Sequence, residues 1–134
     1  MEWAFADDRP IYAQIVEQIE MGILSGECPA GSALPSVRAL ALEAEVNPNT
    51  VQRAFLELES LGLVRTHRTS GRTVTEDGEL VMAVRRRTAQ GRVERFLADM
   101  RSLGFDAAQA VSLLAEAAGQ QGCSVLGSEP KDVR

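Results

Sequence analysis

Two stretches of helical periodicity in this chain are separated by almost no linker. VRALALEAE closes one, and Asn47 with Pro48 opens the next only about two residues later, which makes a tight helical corner. The second start has a mechanism: an Asn side chain at the N-cap accepts an orphan backbone N–H, and proline lacks the donor that would otherwise go unpaired. Val51, Ala54, Phe55, Leu58 and Leu61 then recur at helical spacing until Gly62 ends the run.

Other elements fall on either side of this corner. Upstream, PIYAQIVEQIEMGILSG places Ile11, Ile15, Val16, Ile19 and Ile23 on one helical stripe, with Pro10 suited to a first helical position and Gly26 to a stop. The Pro-, Gly- and Ser-rich linker ECPAGSALP leads to Ser36, which begins a short helix with Leu40 turned inward. Downstream, LVRTH and RTVT are short and β-branched, and the RTSG between them predicts a two-stranded hairpin, a wing, with Gly71 in its turn. Residues 78–103 read as mostly helical, with Val93, Phe96, Leu97 and Met100 on one stripe and Gly91 weakening the case for one unbroken helix. Gly104 breaks that segment. Asp106 and Gln109 then have capping-box spacing, with Phe105 and Ala110 as a hydrophobic staple, and Ala107, Ala110, Val111, Leu114, Ala117 and Ala118 form the apolar face that follows. Beyond it the composition turns to Gly, Gln, Ser and charge, which predicts a disordered tail over residues 120–134.

The predicted fold is therefore mainly α with a small β-wing. It has an N-terminal winged helix-turn-helix over residues 10–77 and a short C-terminal helical dimerisation region over 78–119. A chain of 134 residues has room for that and no more, since one domain takes roughly 100–150 residues.

A net charge of −5 looks wrong for a chain that meets nucleic acid, but phosphate attraction depends on local charge. Residues 1–35 carry six acids against Arg9, whereas residues 36–75 carry five arginines against four glutamates. Within the latter, residues 65–72 hold three arginines, His67 and no acid. Cys28 and Cys123 are far apart in sequence, and with a single histidine neither a zinc site nor a disulfide framework is supported, so no metal or cofactor is expected. No signal-like leader or membrane-length apolar run is present, so a cytoplasmic location with no membrane partner is expected.

The core stripe of the helix after Asn47 leaves Asn49, Gln52 and Arg53 off the buried face in its first two turns. Asn and Gln pair with adenine and Arg with guanine, so these are the side chains that direct readout of DNA requires, and Thr50 suits a phosphate. The bland alternative is an ordinary solvated face. Arg38 and Ser36, at the start of the preceding helix, suit phosphate contacts, and His67, Arg68 and Arg72 flank the wing turn, where a basic tip tracks the backbone or guards a strand edge. Arg85, Arg86 and Arg87 read as a solvated face or as helix-pairing charges.

LPSVRALALEAEVNPNTVQRAFLELESLGLV followed by RTSGRTV resembles the GntR family of bacterial regulators over roughly residues 10–75. VNPNTVQRAFLELE, with VERFLADMRSLGFDAAQAVSLL, is similar to its YtrA-type subgroup in particular. The resemblance implies DNA-contact positions at Arg38, Asn47, Asn49, Thr50, Gln52, Arg53 and the wing around Gly71, and it implies a repressor. Two departures stand out. The family's usual wing, Arg-x-Gly-x-Gly, keeps only Gly71 here, and the usual basic residue early in the recognition helix is Pro48, as in this subgroup. The short stretch after the wing leaves no room for the large effector domains of other branches, and the residues name no small-molecule effector.

The sequence reading is a transcription regulator that binds a palindromic double-stranded operator as a homodimer. Val93, Phe96, Leu97, Met100, Val111 and Leu114 would form the dimer contact, because a lone chain would leave that apolar surface exposed. One rival is a winged helix used only to bind protein, against which the basic wing argues. The other is an enzyme, for which no nucleophile–base pair or phosphate-binding glycine loop exists.

Overall fold

The computed structural model describes residues 2–120. Among them the element order is α1 (Ile11–Ser25), α2 (Val37–Ala44), α3 (Pro48–Ser60), β1 (Val64–His67), β2 (Gly71–Val74), α4 (Gly78–Ser102) and α5 (Ala107–Gln120). The chain divides into two compact units, one ending at Arg86 and the other beginning at Arg87. Of the expected tail only Gln120 is described, as the last residue of α5; the rest lies outside the described residues.

In the first unit α3 is the central element and packs against α1, α2 and β1. Its Val51, Ala54, Phe55 and Leu58 are fully buried and meet Ile15 and Ile19 of α1 and Leu40 of α2 in one core. Ile11 and Leu61, at the ends of their apolar stripes, are each 40% exposed, so the stripes overreach the core by one residue apiece. α1 starts one residue later than the sequence suggests: Pro10 has ψ 140°, outside the helical range, and is the N-cap, not the first helical residue. Asn47 and Pro48 behave as expected, the Asn side chain accepting from the N–H of Asn49 at 2.7 Å.

Two terminations determine how the chain enters and leaves α3. At its end, Gly62 (φ 83°) donates to the Glu59 carbonyl and Leu63 to the Leu58 carbonyl, a Schellman arrangement in which Leu58 and Leu63 are both fully buried. This cap turns the chain directly into β1. Before α3, the corner is made by Glu45, whose φ of 59° is the left-handed conformation that a helix stop needs, and Val46 N–H returns to the Ala41 carbonyl. A Cβ is unfavourable there, so the tight corner carries strain that a glycine would relieve.

β1 and β2 pair antiparallel from Val64 with Val74 to His67 with Gly71. Gly71, expected in the turn, is instead the first residue of β2; its φ of 81° lets Arg68, Thr69 and Ser70 make the connection. The linker before α2 is also more than a loop. Ala33 bridges Thr73, and Gly31 and Leu34 donate to the Val74 and Arg72 carbonyls, so the linker lies along the free edge of β2. The unit extends beyond residues 10–77 at both ends. Trp3 and Phe5 pack on the core from one side, held in part by buried Gln14, which bonds the backbone of Ala6 and Arg9. Leu80, Val81 and buried Val84 of α4 cover it from another.

α4 is one unbroken helix through Gly91, because an interior glycine costs only about 1 kcal/mol and keeps its N–H donor. In the second unit Gly104 (φ 96°) ends α4, its N–H donating to the Arg101 carbonyl and that of Phe105 to the Met100 carbonyl, and the Asp106–Gln109 capping box forms reciprocally at 2.8 and 2.9 Å to start α5.

Relieving the corner should stabilise the protein. We expect Glu45→Gly to raise the unfolding free energy by about 0.5–1 kcal/mol, the gain from an unstrained left-handed residue exceeding the extra entropy of an unfolded glycine. Urea denaturation of the two chains measures it, and a loss of stability would show that the corner is unstrained.

Candidate nucleic-acid interface

With one face of α3 committed to the core, the opposite face is decided by helical geometry. Asn49, Gln52 and Arg53 are exposed and Thr50 is half-buried, all within its first two turns. Asn47 is exposed, but its side-chain oxygen is occupied in capping α3, leaving its amide N–H groups for any further partner. The acids Glu57 and Glu59 follow in the later turns, so the amino-terminal half is the part suited to a polyanion.

Arg53 is held from the side. Its guanidinium lies over the ring of Tyr12, the second residue of α1, at 3.8 Å from the ring centroid. Tyr12 was not legible as part of the site, because its periodic position marks it only as lying off the buried stripe of its own helix.

Ser36 and Arg38 sit at the start of α2, both exposed. The Ser36 hydroxyl accepts from Ala39 N–H at 3.1 Å, which caps the helix and leaves its O–H free to donate.

The wing residues divide into two kinds. Arg68, on the turn, and His67, bonded through Nε2 to Thr73 Oγ1 at 2.8 Å, are exposed. Arg72 differs. Its Nε donates to the Glu59 carboxylate at 2.7 Å, its guanidinium lies 4.8 Å from the centre of the Phe55 ring, and its side chain is only 18% exposed. Thr66 Oγ1 donates to the same carboxylate oxygen. The Thr66 hydrogen bond first, and then the bond and charge of Arg72, hold the Glu59 carboxyl below its usual range. Arg72 thus fastens β2 to the end of α3, and the charge it was expected to offer a phosphate is largely neutralised at home. Sequence reasoning missed this pair because Glu59 and Arg72 are brought together by the hairpin, not by any short repeat.

Other chemistry is sparse. Cys28 is half-buried, and burial pushes its thiol pKa up, which disfavours the reactive thiolate. Among the described residues no group of three or more His, Cys, Asp or Glu is placed to hold a metal ion, and no helix is long and apolar enough to cross a membrane.

Known proteins match this arrangement. Residues 11–74 fit the family described as bacterial regulatory proteins, gntR family. The HTH-type transcriptional regulator YhcF of Bacillus subtilis is 38% identical over 105 residues, covering 78% of this chain and 87% of that protein. The HTH-type transcriptional repressor YtrA of the same organism is 41% identical over 73 residues, covering 54% of this chain and 56% of its own length. Among solved structures, a GntR family transcriptional regulator from Listeria monocytogenes superposes with a TM-score of 0.78 at 38% identity, over 84% of this chain and 98% of that one. The α2–α3 corner, the outward polar face of α3, the wing and these matches together establish that the chain belongs to the GntR family of bacterial DNA-binding transcription regulators, which includes YtrA-type members and whose members are regulators, not enzymes.

Proposed function

We propose that the chain is a repressor that binds a palindromic operator as a homodimer in the bacterial cytoplasm, with α3 in the major groove. The observation that carries this reading is the exposed row Asn49, Gln52 and Arg53 on the first two turns of α3, opposite its fully buried stripe. Gln52 and Arg53 read base edges, with Asn49 beside them. Thr50, Ser36 and Arg38 hold phosphates, as does the Asn47 amide. Arg68, His67 and the backbone at Gly71 follow the strand beside the groove. The similarity to YtrA, named a transcriptional repressor, supports repression.

Pairing is supported by the second unit. Val93 is 55% exposed and Val111 and Leu114 are each 48% exposed, while Phe96, Leu97 and Met100 are half-buried. Exposed apolar side chains on both helices of one unit are what a twofold contact would cover. Two winged helices related by a dyad then read two half-sites about one helical turn apart, or a multiple of it.

Arg53→Ala and Gln52→Ala should each weaken binding to a selected operator by about 1–3 kcal/mol with little change for random DNA, whereas Arg38→Ala should weaken both. Gel shifts against both duplexes decide it; equal losses on the two would remove α3 from base readout, and the absence of any salt-sensitive binding to duplex DNA would favour a protein-interaction module instead.

The two wing arginines should separate. Arg68→Gln should flatten the salt dependence of DNA binding by about one slope unit, while Arg72→Gln should chiefly lower fold stability, by about 1 kcal/mol. Because the folded Glu59 carboxyl titrates below its unfolded value, its contribution is fully present above the unfolded carboxylate pKa of about 4.3 and disappears as pH falls through the lower folded one. Stability measured against pH should therefore fall less steeply below about 4.3 in Glu59→Gln than in the parent.

Leu97→Glu combined with Leu114→Glu should turn a dimer into a monomer by light scattering and weaken operator binding, with random-DNA affinity little changed. A parent chain that scatters as a monomer would sink the dimer.

A further inference from the structure

We infer that Tyr12 is a positioning residue for base recognition: its ring holds the Arg53 guanidinium at the edge of α3 in the pose that reads a guanine. This deepens the proposed function and rests on its assignment of Arg53 to base readout.

The geometry has three parts. Arg53 is exposed, in the second turn of α3, one turn beyond Asn49 and next to Gln52. Tyr12 is half-buried at the amino end of α1, the helix that shares the core with α3, so its ring has a fixed place relative to the recognition helix. The guanidinium carbon stands 3.8 Å from the ring centroid, within the range of a strong cation–π contact.

What the ring does follows from which part of the guanidinium it uses. A stacked guanidinium spends its flat face on the aromatic ring, while its N–H donors radiate in the plane, away from the contact. The two donors needed for the O6 and N7 atoms of guanine remain available. A carboxylate partner would do the opposite, occupying donors and cancelling charge. The protein contains that contrast: Arg72 spends its Nε on Glu59 and is tied to the fold, whereas Arg53 is ordered by a neutral ring and keeps its charge and its edges. Arginine loses much rotamer freedom when it docks on a base, and an arginine already ordered in the free protein loses less on binding.

The experiment uses the full chain and a duplex selected from random sequence by the parent protein. Affinities are measured for that duplex, for the same duplex with each guanine replaced in turn, and for random DNA. The chains are the parent, Tyr12→Phe, Tyr12→Leu, Arg53→Ala and Tyr12→Leu with Arg53→Ala. Tyr12→Leu should bind the selected duplex about three- to tenfold more weakly, with random-DNA affinity unchanged and discrimination reduced at the guanine whose replacement Arg53→Ala tolerates. Tyr12→Phe, which keeps the ring, should bind like the parent, and Tyr12→Leu should add no loss once Arg53 is alanine. Thermal midpoints check folding, and Tyr12→Met supplies a second ring-free chain.

Several results would overturn the inference. A full Tyr12→Leu loss in the Arg53→Ala background would place Tyr12 outside the Arg53 contact. An equal loss in Tyr12→Phe would assign the effect to the hydroxyl, and tighter binding by the ring-free chains would mean that the ring holds Arg53 away from DNA. If Arg53→Ala itself binds the selected duplex undiminished, the readout assignment fails and the inference with it. If Arg53→Ala loses affinity and the ring-free chains do not, only the inference fails.

Discussion

The rotation of α3 about its own axis is set by one buried ring. Phe55 has no exposed surface and sits among Ile15, Ile19, Leu40, Val51 and Leu58, so its removal from water is worth about 2–3 kcal/mol and is lost if the helix turns. An α-helix has 3.6 residues per turn, and fixing Phe55 inward therefore fixes Asn49, Gln52 and Arg53 outward. The same ring meets the wing, since the Arg72 guanidinium lies against it. Core packing, recognition face and wing attachment thus share one side chain. The outward polar face is in this sense a consequence of packing: α3 presents to solvent whatever it cannot bury.

The distribution of charge follows from that arrangement. A chain of net charge −5 binds a polyanion through a local surface, so the arginines matter by where they end, not by how many there are. Arg72 is drawn back by Glu59, which Thr66 also holds, and ties the wing to α3; Arg68, two residues beyond Thr66 in the turn, stays exposed. Glu59 itself sits in the last turns of α3, where its charge is offset by Arg72 and does not repel phosphate at full strength. One acid that looks unfavourable on a recognition helix is in this way the anchor of the hairpin beside it.

Much of this was legible in the sequence, and the legible parts share a physical character. Ser36 capping α2, Asn47 and Pro48 opening α3, Gly62 closing it and the Asp106–Gln109 box are all satisfied within a few residues, so their chemistry is visible as short spacings. The buried stripe of α3 is periodic and equally plain. The illegible parts are contacts between segments distant in sequence. The bridge from Ala33 to Thr73, the Glu59–Arg72 pair and the stack of Arg53 on Tyr12 depend on how elements are brought together, and no local pattern encodes them. Glu45 is intermediate. The shortness of the corner demands a left-handed residue, but the sequence offers a glutamate in place of the glycine that would have announced it.

The nonlocal contacts also restrain side chains on the exposed face that local structure alone would leave free. Exposed arginines on an isolated helix sample many rotamers, and each must be fixed when DNA binds. In this fold two arginines lie on aromatic rings, Arg53 on Tyr12 and Arg72 on Phe55, and the rings come from α1 and α3, which pack against each other in the core. The difference between them lies in the second partner. Glu59 converts the Arg72 ring contact into a structural tie, while Arg53, with no carboxylate partner among the described residues, keeps its donors free of one. A change that placed an acid beside Arg53 would be expected to turn it into a second such tie, keeping its order but occupying its donors and cancelling its charge.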